Sequence, residues 1–181
     1  CIKSNKSIFV TTHLDCDGLT SGSIITKALI REGAKCTVRT SKEFTKNIAE
    51  SFKTDSRDFH IITDLAGGFA NTLDKELNDN WMVLDHHQIP DEELDNQNVI
   101  NSWKFGIDGG TEICAGGMAY LASMALDGKN SDLSSIAVVS ALGDRQDQGE
   151  KKSFTGKNFE IASTARDQGL VEIDLDLLLV G

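Results

Sequence analysis

Phe9-Val10-Thr11-Thr12-His13-Leu14-Asp15-Cys16-Asp17-Gly18 runs from an apolar, β-branched segment into a histidine and two carboxylates at alternate positions, then meets glycine. Read as a parallel strand, it delivers three potential metal ligands at its carboxyl end, where open α/β sheets place their ligands. Ile61-Ile62-Thr63-Asp64 and Met82-Val83-Leu84-Asp85-His86-His87 repeat the arrangement further along. Three apolar segments thus end in carboxylate or imidazole donors. The repetition, more than any single segment, predicts an α/β fold built around a metal site, because short acidic or histidine motifs alone recur by chance.

Outward from these segments the pattern alternates. Lys6 to Thr12 is the first expected strand and Leu19 to Arg31 the first helix, closed by Gly33. Lys35 to Thr40 reads as a strand, and Ser41 to Phe52 as a helix with Ser41 as N-cap and Phe44, Ile48 and Phe52 on one face. Phe59 to Asp64 is the third strand, followed by the Ala66-Gly67-Gly68 loop, a helix from Ala70 to Leu77 and a fourth strand from Trp81 to Asp85. Pro90 fixes a turn, Asp91 to Gln97 reads as a surface connection, and a short strand is expected around Val99-Ile100. From Thr111 the period turns helical, with Ile113, Met118, Leu121 and Ala125 on one face, a second helix after Ser131-Asp132 and a third from Lys157 to Asp167. The expected fold is α/β: an open, mostly parallel sheet with flanking helices, followed by a helix-rich segment.

The 181 residues suit one domain with a substantial core. A formal charge of -10 argues against a continuously basic nucleic-acid surface and leaves room for an acidic pocket that binds divalent cations. Cys1, Cys16, Cys36 and Cys114 form no C-x-x-C pair, so reduced thiols and a cytoplasmic location are expected. The strongest late apolar run, Leu175 to Val180, is far too short to cross a bilayer, and no membrane partner is expected. A chain that starts at Cys1 and ends in an apolar run before Gly181 is expected to be a fragment, residues 1–181 forming a catalytic domain without a C-terminal companion that binds nucleic acid.

His13, Asp15, Asp17, Asp64 and His86 mix oxygen and nitrogen donors, which suits Mn²⁺ better than an all-oxygen Mg²⁺ site while remaining compatible with Mg²⁺. One carboxylate bridging two ions would explain the concentration of charge. Cys16 reads as a small buried packing residue and Cys114 as packing at a helix start. Gly109-Gly110-Thr111 and Gly116-Gly117 either present backbone N–H groups to a phosphate or permit tight helix packing. Trp103 either stacks a base or packs, and Arg145 either clamps a phosphate or pairs on the surface.

Thr12-His13-Leu14-Asp15-Cys16-Asp17-Gly18, Asp64, Asp85-His86-His87 and Gly143-Asp144 resemble, in order, the four motifs of the DHH phosphoesterase superfamily, particularly its archaeal RecJ-like nucleases, over about residues 6 to 150. Asn101, Asp108-Gly109-Gly110-Thr111 and Ala115-Gly116-Gly117 resemble the segment between the third and fourth motifs, although Asn101-Ser102-Trp103 departs from the related Asn-Pro-His pattern. The resemblance implies two Mn²⁺ ions, one held by His13, Asp15 and Asp64 and the other by Asp17, Asp64, His86 and Asp144. It implies that Asp85 orients or polarises the histidine pair, that His87 meets the scissile phosphate or assists proton movement, and that Asn101, Gly116, Gly117 and Arg145 contact substrate. The implied activity is exonucleolytic hydrolysis of single-stranded DNA or RNA, with replication or repair proteins as partners. The alternatives are a small-substrate phosphoesterase acting on short oligonucleotides, cyclic dinucleotides or pyrophosphate, and a replisome scaffold without catalysis. An aromatic content of 6% does not independently support extended stacking on bases.

Overall fold

The computed structural model describes residues 6–173, in which β1 (Ser7–His13) leads through α1 (Cys16–Arg31) to β2 (Lys35–Ser41). There follow α2 (Lys46–Phe52), β3 (Phe59–Thr63), α3 (Ala70–Leu77), β4 (Trp81–Asp85), α4 (Asp91–Leu94) and β5 (Val99–Asn101). Three further helices, α5 (Ala115–Leu126), α6 (Ser134–Gly143) and α7 (Gly156–Asp167), make the helix-rich end expected from the sequence. The five strands are all parallel in the order β2-β1-β3-β4-β5. The chain therefore leaves β1 in one direction to form β2 and returns to its other side to form β3. That reversal opens a crevice at the carboxyl ends of β1 and β3, where ligands bind in open α/β sheets.

Strand periodicity divides the core into two layers. Ile8 and Val10 of β1, Ile61 of β3 and Leu84 of β4 face one side and pack with Ile24, Ala28 and Leu29 of α1, Ala119 of α5, Ala137 of α6 and Ile161 of α7. Phe9, Ile62 and Val83 face the other and pack with Phe44, Ala49, Phe52, Leu73 and Trp81. Both faces of β1, β3 and β4 are covered, which is why those strands read as nearly continuous apolar runs.

Several local expectations are corrected. α1 begins at Cys16 rather than Leu19, because Asp15 is its N-cap and accepts from the Gly18 N–H at 2.9 Å. Asp17 therefore sits in the first helical turn, not on an extended segment. Gly18 is required there, since a Cβ would lie 2.3 Å from the His13 carbonyl oxygen. Ser41 ends β2 and caps nothing; Thr45 caps α2, whose Ile48 and Phe52 still join Phe44 in one core. Asp91 to Leu94, expected as loop, makes one helical turn behind Pro90. Leu121 and Ala125 are exposed, and α5 buries Gly116, Met118, Ala119, Tyr120 and Ser123 instead. α5 is apolar on nearly every side, so residue spacing alone does not pick its inner face. Cys16 is exposed rather than buried, because the early helix start turns it outward, whereas Cys114 is buried as the α5 N-cap. Cys1 and the run Leu175 to Val180 lie outside the described residues. Among the described residues no helix is long and apolar enough to cross a membrane.

Candidate metal centre

Five strand or helix ends supply the donors. His13 is the last residue of β1, Asp15 caps α1 and Asp17 lies in its first turn. Asp64 follows β3 directly with φ 59°, a left-handed conformation that aspartate tolerates better than most residues. Asp85 ends β4 ahead of His86 and His87, and Asp144 caps the carboxyl end of α6. The six residues expected to bind metal converge in one crevice. The ligand atoms of His13, Asp15 and Asp64 lie within 4.8 Å of one another, as do those of Asp17, His86 and Asp144, and those of Asp64, Asp85, His86 and His87.

Asp64 joins these groups. Its Oδ2 lies 3.5 Å from His13 Nδ1, and its Oδ1 lies 3.4 Å from His86 Nε2. His13 Nδ1 is also 2.8 Å from Asp15 Oδ2, and His86 Nε2 is 3.3 Å from Asp17 Oδ2. Each imidazole uses its other nitrogen on a backbone carbonyl: His13 Nε2 on Lys42 at 3.1 Å and His86 Nδ1 on Gly109 at 2.6 Å. A carbonyl only accepts, so those nitrogens carry hydrogen and the inward nitrogens are the ones presented to a metal.

The carboxylates are held as firmly. Asp17 accepts from the Ala115 and Gly116 N–H groups at 2.8 Å each and from the Ser140 hydroxyl, so the positive end of α5 is occupied from inside the protein. The Gly117 N–H is directed at Cys114 Sγ, 3.4 Å away. Gly116 and Gly117 thus present these groups to protein acceptors. Their small size serves packing: a Cβ on Gly116 would lie 1.9 Å from Ser140 Oγ, and one on Gly117 2.7 Å from Ile113 Cγ1.

Asp85 accepts from the backbone N–H groups of His86 and His87 at 2.7 and 3.2 Å, from Gly67 at 3.2 Å, and pairs with His87 Nδ1 at 2.8 Å. Burial opposes its charge, but these hydrogen bonds and the neighbouring imidazoles hold its carboxyl below the usual range. Asp85 in turn raises His87. The His87 side chain is 59% exposed against 6% for His86, so only His87 reaches outward.

Asn101 is buried; its amide donates to the His87 carbonyl at 3.0 Å, its oxygen accepts from the Trp103 N–H, and Trp103 Nε1 donates to the His86 carbonyl at 2.9 Å. Asn101 therefore braces the histidine pair, and the indole N–H of Trp103 does the same. Arg145 is exposed beside Asp144. Gln146, Gly109 and Ser140 organise the ligands without having been singled out by the sequence for that task. Gln146 follows Asp144 closely, but a buried amide in a charged loop has no spacing signature. Gly109 is forced by its neighbour, since a Cβ there would lie 1.8 Å from the His86 carbonyl oxygen.

The electrostatics of the crevice favour added positive charge. Burial, with Asp17 nearby, pushes the Asp64 carboxyl up to about 6 against the opposing pull of His86. Burial disfavours a charged His86, yet the carboxylates of Asp64, Asp17 and Asp85 and the Gly109 carbonyl overcome it and push the imidazole up to about 10. Burial also raises Asp144. Crowded carboxylates with hard oxygen and imidazole donors fit divalent cations of the Mn²⁺ or Mg²⁺ kind.

The profile of the DHH family, N-terminal domain, matches residues 7–143. The chain belongs to the DHH family. An uncharacterized protein of Methanocaldococcus jannaschii is 32% identical over 177 residues, covering 94% of this chain and 39% of the relative. The chain thus spans 39% of the length of that curated relative. Among solved structures, exonuclease RecJ bound to manganese is similar with a TM-score of 0.68 at 18% identity, over 88% of this chain and 43% of that one. RecJ from Thermus thermophilus in complex with Mn²⁺ matches with a TM-score of 0.66 at 18% identity, over 88% of this chain and 24% of that one. CDC45 from Entamoeba histolytica matches with a TM-score of 0.61 at 17% identity, over 97% of this chain and 37% of that one. At these identities the likeness is one of fold. The DHH signature here comprises Asp85, His86 and His87, which divide into an orienting carboxylate, an inward donor and an outward imidazole.

Proposed function

We propose that this DHH protein hydrolyses phosphodiester bonds with two divalent cations, removing nucleotides from single-stranded nucleic acid. The observation that carries the reading is Asp64, whose two oxygens face His13 and His86 separately. His13, Asp15 and Asp64 would hold one ion; Asp17, Asp64, His86 and Asp144 would hold the other. Mn²⁺, or Mg²⁺ in its place, supplies polarisation of a phosphoryl oxygen and acidification of water.

The remaining work falls to this chain's own side chains. Asp64, shared by both sets of donors, would set the spacing between the two positions. His87, fixed through Nδ1 by Asp85, turns Nε2 toward the open side, where it donates a proton to the leaving oxygen as a water, losing one proton to solvent, bonds through its oxygen to phosphorus and the ester P–O bond breaks. Its raised pKa suits a donor at neutral pH. Replication or repair proteins are the partners such an activity would serve.

The test is a substrate panel with Mn²⁺: single-stranded DNA, RNA, short oligonucleotides, cyclic dinucleotides and pyrophosphate. Single strands are expected to be shortened from an end. Turnover of cyclic dinucleotides or pyrophosphate alone would replace the polymer reading with a small-substrate one, and metal binding without any turnover would favour a scaffold.

A further inference from the structure

We infer that Arg145, Lys151 and Lys152 form a rest for the sugar–phosphate backbone of a single strand, next to the metal centre and outside it. The inference depends on the phosphodiesterase reading above and adds to it where the neighbouring phosphates lie. The three side chains line one open cleft of about 840 Å³ with Leu142, Asp147, Gln148 and Gly149, within the size range of ligand clefts (~300–1,000 Å³). In a chain of net charge -10, three cations there stand against the single lining carboxylate of Asp147. Among the described residues none of the three has a carboxylate within ion-pair distance, so their charges are not neutralised within the protein.

Placement supports the assignment. Arg145 follows Asp144, so the cleft begins one residue from the metal centre. Lys151 and Lys152 lie on a closed turn in which the Gly149 N–H donates to the Ser153 carbonyl at 2.9 Å and the Lys152 N–H to the Gly149 carbonyl at 3.1 Å. Arg145, Lys151 and Lys152 have φ of 57°, 56° and 63°, a conformation such side chains avoid, and all three are exposed. The lining contains no aromatic ring, so it suits phosphates and not bases. A ligand carrying phosphates beyond the scissile one fills this cleft; pyrophosphate does not.

The experiment measures binding of a labelled phosphorothioate oligothymidylate, which keeps its charge and resists cleavage, across a salt series in Mn²⁺. Lys151→Gln/Lys152→Gln in the full-length protein should lower the slope of log affinity against log salt by about 1.4, two phosphate contacts at roughly 0.7 each. Its deficit should shrink about sevenfold between 50 and 200 mM salt. Arg145→Gln alone should lower the slope by about 0.7, which keeps the test available should the double variant fold poorly. Lys46→Gln/Lys75→Gln, away from the cleft, should leave the slope unchanged, and an abasic strand should show the same cleft dependence. An unchanged slope in the cleft variants, or an equal loss in the control pair, overturns the inference while hydrolysis stands. Cleft-dependent binding without hydrolysis of any panel member would overturn the phosphodiesterase reading and keep the cleft.

Discussion

Gln146 donates its side-chain amide to Asp144 Oδ2 at 2.7 Å, and the same nitrogen lies 2.8 Å from the Gly109 carbonyl that receives His86 Nδ1. One buried amide thus orients two candidate ligands. Its direction is set by Asn158 of α7, whose Nδ2 donates to Gln146 Oε1 and leaves the amide nitrogen no orientation but toward the centre.

Gln146→Leu should therefore act at Asp144 and His86 and spare His13. It leaves four polar partners, the carbonyls of Gly109 and Ile113, the Asp144 carboxylate and the Asn158 amide, short of a hydrogen bond, at about 1–3 kcal/mol of stability for the worst-placed group. Metal affinity at that position should fall by about 10–100-fold, as for residues that only orient a ligand. Calorimetric Mn²⁺ titration should show one weakened and one intact binding event; two intact events would refute this role.

Asp64→Asn removes charge from both proposed ion positions at once. Both binding events should weaken by more than the about 10–100-fold typical of orienting residues, and turnover should collapse with them. His87→Ala should retain metal and lower turnover by about 10²–10⁴, the usual contribution of a positioned proton donor. If His87→Ala sheds metal as Asp64→Asn does, the division of labour between His86 and His87 is wrong.

Gly109→Ala and Gly116→Ala introduce a Cβ 1.8 Å from the His86 carbonyl oxygen and 1.9 Å from Ser140 Oγ. Each should cost about 1–3 kcal/mol or more through forced displacement, with the melting temperature falling about 2–4 °C per kcal/mol. Gly68→Ala and Gly128→Ala meet nothing within 4 Å and serve as controls in the same thermal melts.

His60 is buried with neither ring nitrogen hydrogen-bonded, its ring centroid 4.6 Å from that of Phe52 and tilted 34° to it. Burial lowers its pKa from 6.5, with Arg57 and Arg39 adding to the effect and Asp55 opposing it. The unfolded chain therefore takes up this proton first. The contribution to stability is complete above about pH 6.5 and is lost as pH falls from there through the lower folded value. His60→Phe should remove that component, so the wild-type melting temperature should drop more than the variant's between pH 7.5 and 5.5. Parallel curves would show that His60 titrates in the folded protein as it does in the unfolded chain, contrary to the lowered pKa.

Much of the fold is local information. Phe9 and Val10 alternate between two apolar layers, Ala70 to Leu77 is helical over the expected span, and each apolar run ends at a donor. These properties depend on neighbours in sequence, through strand period, helix propensity and chain reversal, so His13, Asp15, Asp17, Asp64 and His86 are legible as candidates, whereas Asp144 is legible only through its resemblance to the fourth DHH motif. Tertiary structure alone decided what those donors lean on. The Asp17 carboxylate meets N–H groups 98 and 99 positions away, His86 a carbonyl 23 positions away, and Gln146 a carbonyl 37 positions away. A backbone N–H or carbonyl is present in almost every residue, so its identity carries no mark of such a partner. That is why the bracing by Gly116 and Asn101 is invisible in the sequence: only the parallel order of β1, β3 and β4, with α5 laid against α1, brings a helix end and a loop carbonyl to charges that require them.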